Sequence, residues 1–253
     1  MNHPESSFLL TYILSGTLAT VAALLFLLNR ALKIANWSVR DRTRTVWGGT
    51  ALLVAFYVAA LLPSRLGLYH GTQVPTIQYG ILIPIVAGII LFLKWRPLKR
   101  VVEAVPQQWL IGVQVYRTLG VIFLVLYAGA RLPGLFALPA GVGDVSVGLL
   151  ALWISTVYMR KVPHSTTRLR AWNLLGIADL VVAVTMGLLT SPSPVQIFAL
   201  DAPNELITQF PLVMVPVFAV PLSILLHLAS LQKLRQTESI QKLQRTTLAN
   251  EPG

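Results

Sequence analysis

Seven apolar segments, each long enough to cross a bilayer as a helix, dominate this chain of 253 residues. Because backbone polar groups in lipid must be satisfied within their own segment, such segments are expected to form helices of about 20 residues. The sequence therefore predicts an all-α integral membrane protein with seven transmembrane helices. We place these helices near residues 8–28, 46–62, 77–93, 107–128, 138–159, 171–190 and 206–231. The predicted organisation is a seven-helix membrane domain, residues 1–231, followed by a polar cytoplasmic tail, residues 232–253.

The distribution of basic residues predicts how the helices are oriented. The connections after the first, third and fifth segments hold five, four and four of the 20 Lys and Arg residues, and the tail holds four more. Cytoplasmic loops carry such an excess of positive charge. We therefore expect the amino terminus outside, the carboxyl terminus in the cytoplasm, and a multi-pass location in the plasma (inner) membrane. The same distribution accounts for the net charge of +11 without a nucleic-acid partner.

Four tryptophans agree with this orientation. Trp47, Trp95, Trp109 and Trp172 all fall near the predicted inner ends of their segments. Tryptophan is enriched at membrane interfaces, where its ring meets lipid headgroups. We interpret the four residues as an aromatic belt at the cytoplasmic boundary.

Two aspartates inside apolar segments are the strongest functional candidates. Asp144 lies in the fifth segment and Asp179 in the sixth. An acidic residue at such a position costs roughly 2.5 to 3.5 kcal/mol on insertion scales, so it faces protein or water rather than lipid. Small residues flank both aspartates at positions i−3 and i+4, namely Gly141 and Gly148 around Asp144, and Gly176 and Ala183 around Asp179. This spacing predicts that another helix approaches closely.

Depth along the helices suggests an ion pair. Arg117 and Asp179 each lie eleven residues before the outer end of their segments, which corresponds to a depth of roughly 16 Å. We therefore predict a pair between Arg117 and Asp179 near the bilayer midplane. Asp144 is expected at a depth of roughly 8 Å, within reach of outside water. Gln114 and Tyr116 are further candidates for lining the same polar site.

These residues leave several functions open. The three charges can act as a clasp that fixes helix order, or they can line a cavity that binds a proton, a cation or a small solute during transport. A third alternative is a hydrolase that uses Asp144 and Asp179 as a carboxylate pair on lipid, although the expected difference in depth of about 8 Å weakens it. A non-catalytic sensor or assembly protein is the remaining alternative.

The sequence points to no cofactor and to no metal site. It contains no cysteine, which excludes disulfides, thiolate metal ligands and covalent haem attachment through cysteine. The last apolar segment contains no lysine that could hold retinal, and His227 is the one histidine within the seven segments. We expect no catalytic residues of a recognisable type, so a role other than catalysis is favoured. The expected partners are the lipid bilayer and a small solute, proton or cation.

Overall fold

The computed structural model describes residues 4–70 and 76–249, with side chains described for residues 7–70 and 76–240. The α-helices are α1 (Pro4–Ile34), α2 (Val39–Arg65), α3 (Ile77–Lys94), α4 (Arg96–Ala104), α5 (Gln107–Gly112), α6 (Val121–Ala128), α7 (Gly134–Met159), α8 (Ser165–Thr190) and α9 (Val220–Ala249). Two 3-10 segments, Val113–Gly120 and Leu206–Thr208, and a π segment, Val215–Ala219, lie between them.

Seven helical stretches in the described part of the chain are long and apolar enough to cross a membrane, which confirms the predicted number. They are Ser7–Ile34, Val39–Arg65, Ile77–Lys94, Gln107–Ala128, Gly134–Met159, Ser165–Thr190 and Val215–Ile240. The predicted all-α fold with seven helices long and apolar enough to span a membrane is therefore confirmed for the described residues. We call the end of the bundle with the 35–38, 95–106 and 160–164 connections the basic end, and the other end the loop end.

Several helix ends differ from the sequence-based expectation: α1 ends at Ile34, α2 begins at Val39 and α8 begins at Ser165, each six or seven residues outside the expected range. The fifth and seventh segments differ as well. α7 begins at Gly134, four residues before the expected start, because Pro133 precedes it and Pro139 is accommodated inside the helix. The last span begins at Val215 instead of residue 206. Residues 206–214 form a short 3-10 turn and a loop that contains Pro211, and proline lacks the N–H that a regular helix needs. α9 continues past residue 231 to Ala249, while residues 250–253 lie outside the described residues.

The last span is the centre of the bundle. In its most apolar stretch 56% of the residues are buried, against 6% for the third span. The side chains of Leu212, Met214 and Phe218 are fully buried where the chain enters this span. α8, α3 and α5 pack directly against it. α7 packs against α8 and against the span made of α5, the 3-10 segment and α6. α1, α2 and α3 present most of their apolar side chains to the outside.

The tryptophans of the predicted belt differ in their exposure. Trp47 and Trp95 are 68% and 44% exposed, as an interfacial residue must be. Trp172 is not in the belt, because it is only 3% exposed and lies between helices. Its ring packs against His227 with the centroids 4.9 Å apart, and its Nε1–H donates to the carbonyl of Val147 at 3.1 Å. The indole N–H of Trp172 therefore has its hydrogen-bond acceptor inside the bundle and not in the lipid headgroup region.

The 3-10 segment Val113–Gly120 sets the polar face of the fourth span. With about three residues per turn, side chains at i, i+3 and i+6 lie above one another. Gln114, Arg117 and Gly120 have this spacing, and all three are buried. In an α-helix, with about 3.6 residues per turn, residues six apart point in different directions, so Gln114 and Gly120 would lie on different faces. The local geometry therefore directs one polar stripe into the bundle at mid-membrane.

Candidate functional site

Arg117 holds both intramembrane aspartates at once. Its Nε–H donates to Asp144 Oδ1 at 2.8 Å, and its Nη2 lies 2.7 Å from the same oxygen. Nη2 also forms an ion pair with Asp179 Oδ2. The predicted pair between Arg117 and Asp179 is present, and Asp144 joins it. We call these three residues the triad.

The two aspartates lie at the same depth, so the expected depth of about 8 Å for Asp144 is wrong. The reason is the earlier start of α7, which places Asp144 ten residues after Gly134, or about 15 Å into the helix. Asp179 lies eleven residues before Thr190, or about 16 Å from the same end of the bundle. One guanidinium near the midplane can therefore reach both carboxylates.

Every N–H group of the guanidinium has an acceptor. Besides the two carboxylates, Nη1 donates to the carbonyl of Gly176 at 3.2 Å and faces His227 Nε2 at 3.3 Å. A buried arginine needs partners for five N–H groups, and the triad with these two neighbours provides them. The Arg117 side chain is 1% exposed, whereas those of Asp144 and Asp179 are 14% and 11% exposed. A proton or a cation from water can therefore reach the aspartates more readily than the arginine.

The hydrogen bonds of His227 identify its tautomer. Asn173 Nδ2 donates to the backbone carbonyl of Leu169 at 2.9 Å, so the amide oxygen is the atom that faces His227 Nδ1 at 3.0 Å. Nδ1 therefore carries the proton, and the bare Nε2 accepts from Arg117. The imidazole is neutral and fully hydrogen-bonded, which avoids a second positive charge beside the guanidinium.

A line of polar side chains continues from His227 to the basic end. Asn173 Nδ2 also donates to Ser230 Oγ at 3.0 Å, and Gln107 Nε2 donates to the same oxygen at 2.7 Å. Gln107 is the first residue of α5. Asn173, Ser230 and Gln107 are all buried, with at most 5% of their surface exposed. The triad is thus connected to one end of the bundle through side chains of α8, α9 and α5.

Gln114 and Tyr116, the other two predicted site residues, turn to the last span instead of the triad. Gln114 Nε2 donates to the carbonyl of Ser223 at 3.1 Å, and the Tyr116 hydroxyl is hydrogen-bonded to Ser223 Oγ. The Gln114 amide oxygen is buried and has no hydrogen-bond partner among the described residues. These two residues lie beside the triad and tie the 3-10 segment to α9.

Glycines allow the helices to approach closely enough for the triad to form. A Cβ atom on Gly120 would lie 2.5 Å from the Cβ of Asp144, and one on Gly148 would lie 2.8 Å from the backbone nitrogen of Thr118. A Cβ on Gly176 would overlap the ring of His227. The small-residue faces predicted around both aspartates are therefore real contact surfaces, as expected for close packing between membrane helices.

Two small cavities meet at Asp144. Each has a volume of about 60 Å³. The first extends to the loop end, where Ser193 and Thr208 line it. The second lies against α1 and is lined by Thr17 and by Arg117. Since a water molecule needs a cavity volume of roughly 10 to 15 Å³, each cavity has space for a few waters or one small ion.

The site residues that were not among the sequence-based candidates are His227, Asn173, Ser223 and Ser230, of which His227 and Asn173 were expected only to make contacts between helices. A signal for three of them was present in the sequence. Ser223, His227 and Ser230 follow the spacing i, i+4 and i+7, which places them on one face of a helix. A polar face of that kind in a membrane helix indicates contact with other protein segments.

Comparison with known proteins places the chain in a family. No curated protein and no solved structure matches it. A family model described as a domain of unknown function (DUF8737) matches residues 74–235. The match covers well over half of the chain and includes all three triad residues together with His227. The chain therefore belongs to the DUF8737 family.

Proposed function

We propose that this protein is a multi-pass plasma-membrane transporter in which the triad binds a proton or a small cation, alone or together with a small solute. The observation that carries this proposal is that one buried arginine forms ion pairs with two carboxylates, at the place where two cavities meet. Intramembrane ionisable residues in such surroundings commonly mark ion and proton paths.

The charge balance of the triad supports a cationic ligand. Asp144 and Asp179 together carry two negative charges when ionised, against one positive charge on Arg117. Neutral His227 adds none. An unbalanced negative charge near the midplane is costly, and binding one proton or one monovalent cation removes it. Because Arg117 remains paired with the second carboxylate, such binding does not leave a buried charge without a partner.

The size of the cavities limits the ligand. Two cavities of about 60 Å³ fit water, a proton on a carboxylate, or a small cation that keeps part of its hydration shell. Binding pockets for larger organic molecules have volumes of roughly 300 to 1,000 Å³. The triad is therefore suited to the coupling ion, and a solute of that larger size would need a second conformation with more space.

One observation favours a second candidate, a hydrolase that acts on lipid. The difference in depth that weakened this alternative is absent, since both carboxylates contact the same guanidinium. A carboxylate pair that converges on one point can position an acid and a base. A lipid bond would have to reach this point through cavities of about 60 Å³, which makes transport the better supported function.

The transport proposal is tested by reconstitution into liposomes. Under an imposed pH gradient and membrane potential, the wild-type protein should carry protons, or one of Na⁺, K⁺, Li⁺ and ammonium, in the presence or absence of small solutes. We expect Asp144→Asn and Asp179→Asn to lower this flux at least tenfold, because an amide cannot take up a proton and has no charge to attract a cation. Asp201→Asn changes an exposed loop carboxylate and should retain the wild-type flux.

Three results would count against transport. The first is the absence of wild-type flux over the whole panel, combined with triad variants that differ only in stability. This result would identify the triad as a structural clasp. The second is an unchanged flux in both triad variants. The third is release of labelled products from lipid by the wild type but not by Asp144→Asn, which would favour the hydrolase.

The proposed orientation is tested with cysteine labelling, for which the chain offers a cysteine-free background. Pro194 is exposed at the loop end, and Thr166 is exposed in the first turn of α8 at the basic end. With the basic end in the cytoplasm, an impermeant thiol reagent should label Pro194→Cys in intact cells. It should label Thr166→Cys only after permeabilisation. The reverse pattern would invert the proposed orientation.

A further inference from the structure

A third cavity, separate from the triad, lies at the basic end between α1, α2, α3, α4, α5 and α9. Its volume is about 780 Å³, which is more than ten times that of either cavity beside Asp144. Leucine, isoleucine, valine and aromatic side chains form most of its walls, and the two tryptophans Trp95 and Trp109 lie among them. A cavity of this size can hold an organic molecule with a long apolar part.

The charged residues that line the cavity are both arginines. Arg44 comes from the start of α2 and Arg235 from α9, and both side chains are exposed at the basic end. Thr45, which follows Arg44, and Gln232, three residues before Arg235, also line the cavity. The cavity therefore combines a positive, hydrogen-bonding mouth with apolar walls, and no acidic residue lines it in the described part of the chain.

The length of the apolar part matches one acyl chain. Along α2, the lining continues from Arg44 to Leu53, nine residues later, which is about 14 Å. Along α9 it continues from Arg235 back to Leu222, thirteen residues away, or about 20 Å. Half of the hydrocarbon core of a bilayer is about 15 Å thick. An acyl chain that extends from the headgroup level to the midplane therefore spans the cavity.

Gly48 keeps the wall of the cavity open. A Cβ atom added to this residue would have no other atom within 4 Å, whereas one on the adjacent Gly49 would lie 2.9 Å from Leu28. Gly49 thus packs α2 against α1, and Gly48 leaves free space inside the lining. A large side chain at Gly48, which lines the cavity, would therefore enter open space without disturbing a helix contact.

We propose that this cavity binds one anionic phospholipid from the membrane leaflet at the basic end. Its phosphate lies between Arg44 and Arg235, and an acyl chain occupies the apolar cavity. Arginine suits a phosphate because its planar group donates two parallel hydrogen bonds. Tryptophans at the mouth lie at the headgroup level, where such rings are favoured. The proposal does not depend on transport by the triad.

The experiment measures lipid binding by the purified protein in mild detergent, using native mass spectrometry and thermal unfolding. We expect phosphatidylglycerol to bind at least tenfold more tightly than phosphatidylcholine with the same acyl chains. The double variant Arg44→Gln/Arg235→Gln should lose this preference. Gly48→Phe should weaken binding of phosphatidylglycerol at least tenfold while both arginines remain. Arg160→Gln, which removes an exposed charge at the same end but away from the cavity, should bind like the wild type.

Each of the other results overturns the proposal. Equal binding of the two lipids would show that the arginines do not recognise the phosphate. Loss of binding in the arginine variant but not in Gly48→Phe would indicate attraction to surface charge without use of the cavity. Binding of soluble glycerol phosphate as tight as that of the lipid would assign the site to the headgroup alone. None of these measurements involves flux, so a failure here leaves the transport proposal unaffected.

Discussion

Arg117→Met should destabilise the protein more than replacement of either aspartate by asparagine. Without Arg117, two carboxylates remain close together near the midplane with no positive partner. Removing one partner of a buried ion pair typically costs about 3 to 5 kcal/mol. For a protein of this size, such a loss corresponds to a decrease in the unfolding temperature on the order of 10 °C. The measurement is the apparent unfolding temperature in detergent at a fixed heating rate.

The aspartate variants provide the matched comparison. Asp144→Asn and Asp179→Asn each leave one carboxylate paired with the guanidinium, and the asparagine oxygen can still accept a hydrogen bond. We therefore expect each to lower the unfolding temperature by less than half as much as Arg117→Met.

Combined replacements test whether the triad acts as a unit. Arg117→Met with Asp179→Leu should recover stability only in part, because Asp144 remains without its partner. Adding Asp144→Leu should recover most of the rest, since replacement of a whole buried ionic cluster by apolar residues is often nearly neutral. If the double variant is already as stable as the triple variant, Asp144 does not interact with Arg117.

Gly143→Ala should disrupt the triad without changing any charge. A Cβ atom at Gly143 would overlap the carboxylate of Asp179 on the neighbouring helix. Either Asp179 leaves Arg117 or α7 and α8 move apart. The loss of one hydrogen bond to a charged group costs about 1.5 to 3 kcal/mol, so the unfolding temperature should fall by roughly 3 to 12 °C. In liposomes the proposed flux should fall together with the stability.

Gly112→Ala is the control for this effect. A Cβ atom there would lie 3.6 Å from Ser155 Oγ, which is ordinary van der Waals contact. Alanine also favours helical backbone by up to about 1 kcal/mol relative to glycine. We expect this variant to be as stable as the wild type or slightly more stable. If the two alanine variants have equal unfolding temperatures, the close approach of Gly143 to Asp179 is not important for the fold.

The sequence was sufficient to predict those features that depend on the solvent properties of the bilayer. A charged residue is costly in lipid and a backbone polar group must be paired there. For these reasons seven spans, an all-α fold and a pair between Arg117 and Asp179 could be predicted from residue type and depth alone. The same reasoning predicted the close helix contacts at Gly148 and Gly176, because small residues at those positions permit them.

Other features depended on how the helices pack. The depth of Asp144 could be found only from the residue at which α7 begins. The prolines of this region do not mark that residue clearly, since Pro139 lies inside the helix. The role of His227 required its neighbours from two other helices, Asn173 and Arg117. Trp172 was assigned to the membrane surface from its depth, although its rotation about the helix axis directs it into the bundle.

The sequence by itself therefore determined which segments are long and apolar enough to span a membrane and which charged residues must be kept from lipid. Only the tertiary structure decided that Asp144 and Asp179 share one guanidinium, that His227 is neutral beside it, and that Arg44 and Arg235 line one cavity. The physical reason is that transfer into lipid depends on each residue and its depth. Hydrogen bonds and cavities depend on the relative rotation and distance of helices that are far apart in the chain.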